Sequence, residues 1–304
     1  MNTRYEQNIL TFSACGALFF AILALIWGIL TKSQMIMFDG VYSFISLILT
    51  GFYFYAAKSM MLGSDKKFPF GRSQIEPMVI TVQSIVLIAI CIKALTSSTI
   101  SLFSGGQEIN SLSGMTYAFI GVIGCFIAWS YIMRTKKKKA PQSVLLKTQS
   151  MQWLMDTMLS GAVLIGFFIG YILQSMGYEY YAQYTDPLMV IIAVLFFIRG
   201  PIISLIEGIK GLLIMAPEKG IYKTSKQAMK TIARQKKFED VVLRLGKSGR
   251  ELVCEVSFIT KTPKDSRSVG EMDEIHKEVY DKLSEMFDSP LWLCVSFVHN
   301  RKLT

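Results

Sequence analysis

QNILTFSACGALFFAILALIWGILT, residues 7–31, has no charged side chain along its whole length. A helix needs about 20 such residues to cross a hydrocarbon core of roughly 30 Å. The segment can therefore span a bilayer. It is too long for the apolar part of a removable signal peptide, and it is read as a retained span. Uncharged stretches also run from Gly40 to Ala57, from Ile109 to Met133 and from Thr157 to Tyr178. Over all 304 residues the chain is 52% hydrophobic and 18% charged, with a mean hydropathy of +0.41. A soluble domain holds about a quarter charged residues. This composition excludes a soluble enzyme, a secreted disulfide scaffold and a disordered regulator, and it predicts a polytopic membrane protein.

Six spans are expected, at about 8–30, 34–57, 77–104, 112–133, 148–172 and 187–206. The third holds Lys93, and the sixth is interrupted by Arg199, Gly200 and Pro201. Lys58, Lys66, Lys67 and Arg72 separate spans two and three. Arg134, Lys136 to Lys139 and Lys147 separate spans four and five. The alternate loops hold Lys32 and otherwise only Glu108, Glu179 and Asp186. The positive-inside bias then places both termini in the cytoplasm. Topology accounts for these basic residues, with lipid headgroups as a further partner for Lys136–Lys139, so the net charge of +10 gives no reason to expect nucleic acid.

After residue 207 the composition becomes that of a soluble domain: residues 208–304 hold eighteen Lys or Arg and thirteen Asp or Glu. Lys219 to Arg234 reads as an amphipathic helix with Ile221, Ala228, Met229 and Ile232 on one side. Val241 to Leu245 and Leu252 to Ile259 alternate as strands joined by a turn at Gly246 to Gly249, and Leu291 to Val298 is a third strand. Between them Ser268 to Phe287 is a helix opened by a Ser268–Glu271 capping box. The expected fold is thus a membrane all-α domain of six transmembrane helices, residues 1–207. A C-terminal α+β ferredoxin-like domain of order αββαβ, residues 208–304, follows it in the cytoplasm. The five cysteines form no CxxC pair, so neither a zinc ribbon nor a redox motif is available, and Cys15, Cys91 and Cys125 read as small apolar filler.

Charge inside a bilayer costs about 2.5–3.5 kcal/mol on insertion scales, so intramembrane acids point to a site. Asp39 in the second span and Asp156 in the fifth qualify, and each has a polar companion four residues away: Ser43 and Gln152. Residues i and i+4 share one helix face. Two facing helices so equipped bring four oxygen-bearing side chains to one point, which is what a bound cation needs. Alone, Ser43 could bond its own helix and Gln152 could bridge helices. Lys93 is the one candidate counter-charge, with snorkelling to the interface as its alternative.

These acid pairs, six spans and the αββαβ tail resemble the cation diffusion facilitator family. FPFGRSQIEPMVITVQS, residues 68–84, is similar to the family's opening of the third span. MQWLMDTMLSGAVLIG, residues 151–166, is similar to its fifth-span motif, YTDPLMVIIAV to the Asp-Pro start of the sixth span, and GLLIMAP to its exit into the cytoplasm. The resemblance covers essentially the whole chain. It implies a homodimeric exporter that exchanges a cytoplasmic divalent metal ion for protons, with Asp39, Ser43, Gln152 and Asp156 as the metal site and no resident cofactor.

The chain departs from the family's pattern at several positions. Relatives that move zinc usually place Asp or His where this chain has Ser43, and His where it has Gln152. The auxiliary site in the second loop is matched by Asp65, with Phe68 and Arg72 in place of ligands. In the tail, Val256 and Phe297 stand where ligands are expected, and only His276 and His299 exist in the chain. The Lys–Asp interlock of some relatives is replaced by Gln74 and Ile214. Dimerisation is therefore expected through sheet and apolar contacts, with Trp292 and Phe297 in the core or at that contact.

An all-oxygen site suits harder ions such as Mn²⁺ or Mg²⁺ better than it suits zinc. Zinc, manganese, iron, cobalt and magnesium all stay open. Without a histidine ligand, protons must compete with the cation for Asp39 and Asp156. Two other functions are consistent with the sequence. One is a member of the same fold without transport activity, acting as scaffold, sensor or heterodimer partner. The other is a transporter of a monovalent or organic cation, for which Phe38, Tyr42 and Trp153 would be the aromatic lining. No nucleotide loop, nucleophile–base pair or cofactor motif suggests an enzyme. The simplest location is a bacterial inner (plasma) membrane.

Overall fold

The computed structural model describes residues 3–60, 65–69, 71–107, 110–139, 144–217, 219–249, 251–262, 267–287 and 290–303. Glu108 lies outside the described residues, as do the side chains of Arg4, Lys58, Lys136–Lys139 and Lys147. The chain forms ten α-helices and three strands among these residues. Five long helices come first: α1 (Thr3–Thr31), α2 (Gln34–Met60), α3 (Ile75–Phe103), α4 (Ser111–Lys139) and α5 (Val144–Ser175). The sixth apolar segment is built from α6 (Glu179–Ala182), α7 (Thr185–Phe197) and α8 (Arg199–Leu212). Six helical segments are long and apolar enough to cross a membrane, ending with Glu179–Leu212. Large apolar side chains such as Phe19, Leu30, Phe103 and Phe196 stand exposed on them, which a multi-pass protein tolerates because lipid is the solvent. The chain is a multi-pass membrane protein.

Two compact units emerge: Met1–Phe52 with Gln83–Ile202, and Tyr53–Val82 with Ile203–Thr304. In the first, α1 and α2 meet at backbone distance. A Cβ on Gly40 would lie 2.8 Å from the Leu25 nitrogen, and one on Gly28 would lie 2.9 Å from the Met37 nitrogen. Lipid gives no hydrophobic drive for helix association, so close packing through small residues must supply it. The break between α7 and α8 coincides with Pro201, which has no N–H to offer the Phe197 carbonyl, while Ile198 stays in the helical region and bonds back to Val194.

The start of α2 is held from a distance. Lys32 turns the chain in the left-handed region, with φ 56°. Asp186 in the first turn of α7 is completely buried. Its carboxylate accepts from the Ser33 hydroxyl at 2.5 Å, the Gln34 N–H at 2.6 Å and the Met35 N–H at 3.3 Å. Ser98 of α3 donates to the Gln34 side-chain oxygen at 2.8 Å. The first N–H groups of a helix lack internal partners and carry its positive dipole end, so a carboxylate is the matching cap. The sequence reading leaves Asp186 in a loop. The structure places it inside the fold, one residue before the proline that opens α7.

In the second unit α9 (Lys219–Gln235) and α10 (Val269–Met286) pack on a three-stranded sheet of order β1-β2-β3. β1 (Asp240–Ser248) and β2 (Glu251–Ile259) are antiparallel, whereas β2 and β3 (Leu291–Val298) are parallel, α10 making the crossover. The core joins Met229, Ile232, Leu243, Val256, Phe258 and Val279. Ser268 and Glu271 form the expected capping box. The hairpin turn is tighter than the sequence suggests: Gly246 pairs with Val253 inside the ladder. Gly246 sits in the strand because a Cβ there would come within 2.5 Å of Ile214, and the turn falls to Gly249, with φ 58°.

Asp186→Ala leaves three donors at the start of α2 without their acceptor. It should cost about 1–3 kcal/mol, read as a lower melting temperature of the detergent-solubilised protein, with Asp186→Asn less affected. An unchanged melting temperature in Asp186→Ala would show that this contact does not hold α2.

Candidate functional site

Asp39 sits on α2, one and a half turns after the capped start at Gln34. Its Oδ2 accepts a hydrogen bond of 2.8 Å from the Tyr117 hydroxyl of α4. Asp156 projects from α5 and is close enough to Asp39 for the two charges to interact. Two acids from different helices, distant in sequence, thus share one electrostatic environment. Between the helices lies a cavity of about 10 Å³ lined by Asp39, Tyr117 and Ser160 with apolar walls that include Ile36, Leu159 and Val163. That volume is about what a single water needs.

α4 was not expected to take part. Tyr117, Gly121 and Cys125 recur at i, i+4 and i+8, so they share a helix face. A Cβ on Gly121 would lie 3.1 Å from the Ser160 hydroxyl, so the absent side chain lets α5 come close at this level. Cys125 is buried, with Ser160 within hydrogen-bonding reach and both carboxylates within electrostatic range. The sequence signals were present but weak: a polar Tyr and a Cys on one face of the fourth span, and a serine one turn beyond Asp156.

The two polar companions expected from spacing sit differently. Ser43 is half-buried one turn beyond Asp39. Gln152 is exposed, and its side-chain oxygen faces the Gln149 amide at 3.4 Å. Gln149 in turn donates to Ser13 at 2.6 Å, a hydroxyl that also accepts from Trp153 at 2.7 Å. Lys93 is exposed, and among the described residues it forms no ion pair with either acid. The aromatic side chains near the acids pack on one another. Phe38, Tyr42 and Phe197 have ring centroids 5.3 to 6.4 Å apart, and Trp153 packs edge-on to Phe20. Among the described residues, no group of three or more His, Cys, Asp or Glu could hold a metal ion.

The positions matched to the family's other metal sites are filled as well. Asp65 accepts the N–H groups of Lys67 and Phe68 at 2.9 and 2.8 Å and pairs with Arg72, whose guanidinium lies 4.6 Å over the Phe68 ring. The Phe68 N–H first, then Lys67 and Arg72, hold the Asp65 carboxyl below the ordinary carboxylate range. The loop therefore already has its own cation. In the C-terminal sheet Val256 is fully buried, and Phe297 packs against Phe258 and Phe238 at 5.9 and 5.8 Å. Burial pushes the neighbouring Cys254 thiol up to about 12, which leaves it protonated and inert. Trp292 is partly exposed, His276 is exposed, and His299 contacts the Thr260 carbonyl at 2.9 Å.

Compared with known families, residues 10–213 match the Cation efflux transmembrane domain. A comparison with curated proteins finds no match. The match covers all six apolar segments together with Asp39 and Asp156, and the chain accordingly belongs to the cation efflux family, a family of transporters and not of enzymes.

Proposed function

We propose that this protein exports a divalent metal cation from the cytoplasm in exchange for protons. The site is built on Asp39 and Asp156 with Ser43 and Gln152 as polar companions, in a homodimer embedded in the plasma membrane. The observation behind this reading is that the acids of α2 and α5 interact electrostatically and that the first of them, Asp39, lines a cavity sized for one small occupant. Two carboxylates match the charge of one divalent ion. The same pair can stay neutral without the ion by holding protons, and a buried site must avoid net charge. Exchange of cation for protons is therefore the electrostatically least costly cycle. A cavity of about 10 Å³ with the nearby rings packed on each other favours a metal ion over an organic cation.

The donor set is of oxygen, with Cys125 as the one soft atom nearby. Oxygen donors suit Mn²⁺ and Mg²⁺, whereas zinc favours imidazole and thiolate. The cargo is accordingly drawn from the zinc, manganese, iron, cobalt and magnesium class, with hard ions preferred. Residues 1–207 form the transport domain. Residues 208–304 form a cytoplasmic domain that dimerises without bound metal, since its core positions hold Val256 and Phe297. Both termini face the cytoplasm, as the basic loops after spans two and four imply.

The test is uptake into proteoliposomes that are acidic inside, offered Zn²⁺, Mn²⁺, Fe²⁺, Co²⁺ and Mg²⁺ in turn. Uptake of at least one ion is expected, lost in Asp156→Ala and in Asp39→Ala. No uptake by folded, dimeric protein would favour a scaffold or heterodimer partner. Collapsing the pH gradient with a protonophore should reduce wild-type uptake, and uptake indifferent to the gradient would rule out proton exchange.

A further inference from the structure

We propose that the cation site is completed by Ser160 of α5 as a third oxygen ligand and oriented by Tyr117 of α4, so that three helices rather than two define it. The inference rests on the transport reading above and refines its ligand set. Spacing alone offers two polar neighbours for Asp156 on the same helix face, Gln152 one turn before it and Ser160 one turn after it. The structure separates them. Ser160 lines the cavity that Asp39 also lines, whereas Gln152 is exposed and turned toward Gln149. Gly121 of α4 leaves room for the Ser160 hydroxyl: a Cβ there would stand 3.1 Å from it. The serine oxygen therefore shares a confined space with the first acid.

Tyr117 acts through Asp39. Its hydroxyl holds Oδ2 at 2.8 Å, and among the described residues Oδ1 takes no hydrogen bond. A carboxylate bonded through one oxygen offers the other in a fixed direction. Outer hydrogen bonds of this kind orient metal ligands and are worth about 10–100-fold in affinity. Tyr117 is thus a positioning residue on a helix that carries neither acid, and Ser160 a ligand one turn beyond Asp156 on α5. A hydroxyl is a neutral, hard donor. It adds an oxygen without adding charge, so the site stays matched to a divalent ion.

The experiment titrates Mn²⁺ into the purified full-length protein in detergent by calorimetry, alongside transport. Ser160→Ala is expected to weaken binding about tenfold or more, at the low end of the range for lost metal-site partners, and Ser160→Thr, which keeps the hydroxyl, to restore it. Tyr117→Phe should raise the KM for uptake while leaving kcat nearly unchanged, a split that general destabilisation does not produce. Ser160→Cys should add a thiolate-to-Cd²⁺ charge-transfer band beyond any in wild type, which tests the position even if Ser160→Ala folds poorly. Wild-type Mn²⁺ affinity in Ser160→Ala, or no added Cd²⁺ band in Ser160→Cys, would overturn the ligand assignment. Wild-type uptake in Tyr117→Phe would overturn the positioning role. Wild-type affinity in Asp156→Ala would instead overturn the underlying site, so the two failures are distinguishable.

Discussion

A carboxylate from one helix closes the amino end of another. Asp186 of α7 takes the Ser33 hydroxyl and two backbone N–H groups at the start of α2, and this contact fixes where α2 begins. From there the helical repeat determines where Asp39 points, one and a half turns later. Without a cap the first turn would have unpaired donors in an environment that offers no water, which a membrane helix cannot leave unmatched. Tight packing of Gly28 and Gly40 between α1 and α2 sets the same helix laterally. The direction of the first acid is thus a product of backbone constraints and does not depend on the acid itself.

Low dielectric then dictates the chemistry. Two acids that sense each other inside the fold cannot both be charged and unpaired at tolerable cost. They need protons or a cation, and the cavity that Asp39 lines accommodates only a small occupant. The surrounding hydroxyls of Tyr117 and Ser160 are neutral. They can direct or ligate without disturbing the charge match. The loop position that corresponds to an auxiliary metal site in relatives has resolved the same problem with an ion pair, Arg72 on Asp65. In the C-terminal sheet, apolar side chains stand at the positions where ligands are expected.

Much of this was legible in sequence because the governing constraints are local and periodic. Bilayer thickness sets the length of apolar runs, so six spans could be counted. The αββαβ order followed from a change of period and from the Ser268 capping box. Asp39 and Asp156 stood out because charge is rare in such segments. What sequence could not show depended on contacts between distant elements. Asp186 read as a loop acid because its partners lie some 150 residues away. Helical spacing marked Gln152 and Ser160 equally, since both lie one turn from Asp156, and only the packing of α4 against α5 distinguishes them. Tyr117 had no charge to announce it. The turn expected over Gly246 to Gly249 narrows to Gly249 because the approach of Ile214, and not turn chemistry, puts a glycine at 246.

The most direct measurement is an anomalous-scattering map of the protein loaded with Mn²⁺. The account predicts one peak per protomer in the cavity between α2, α4 and α5, within bonding distance of Asp39 and Asp156. A peak elsewhere, with that cavity empty in protein that transports the ion, would contradict it.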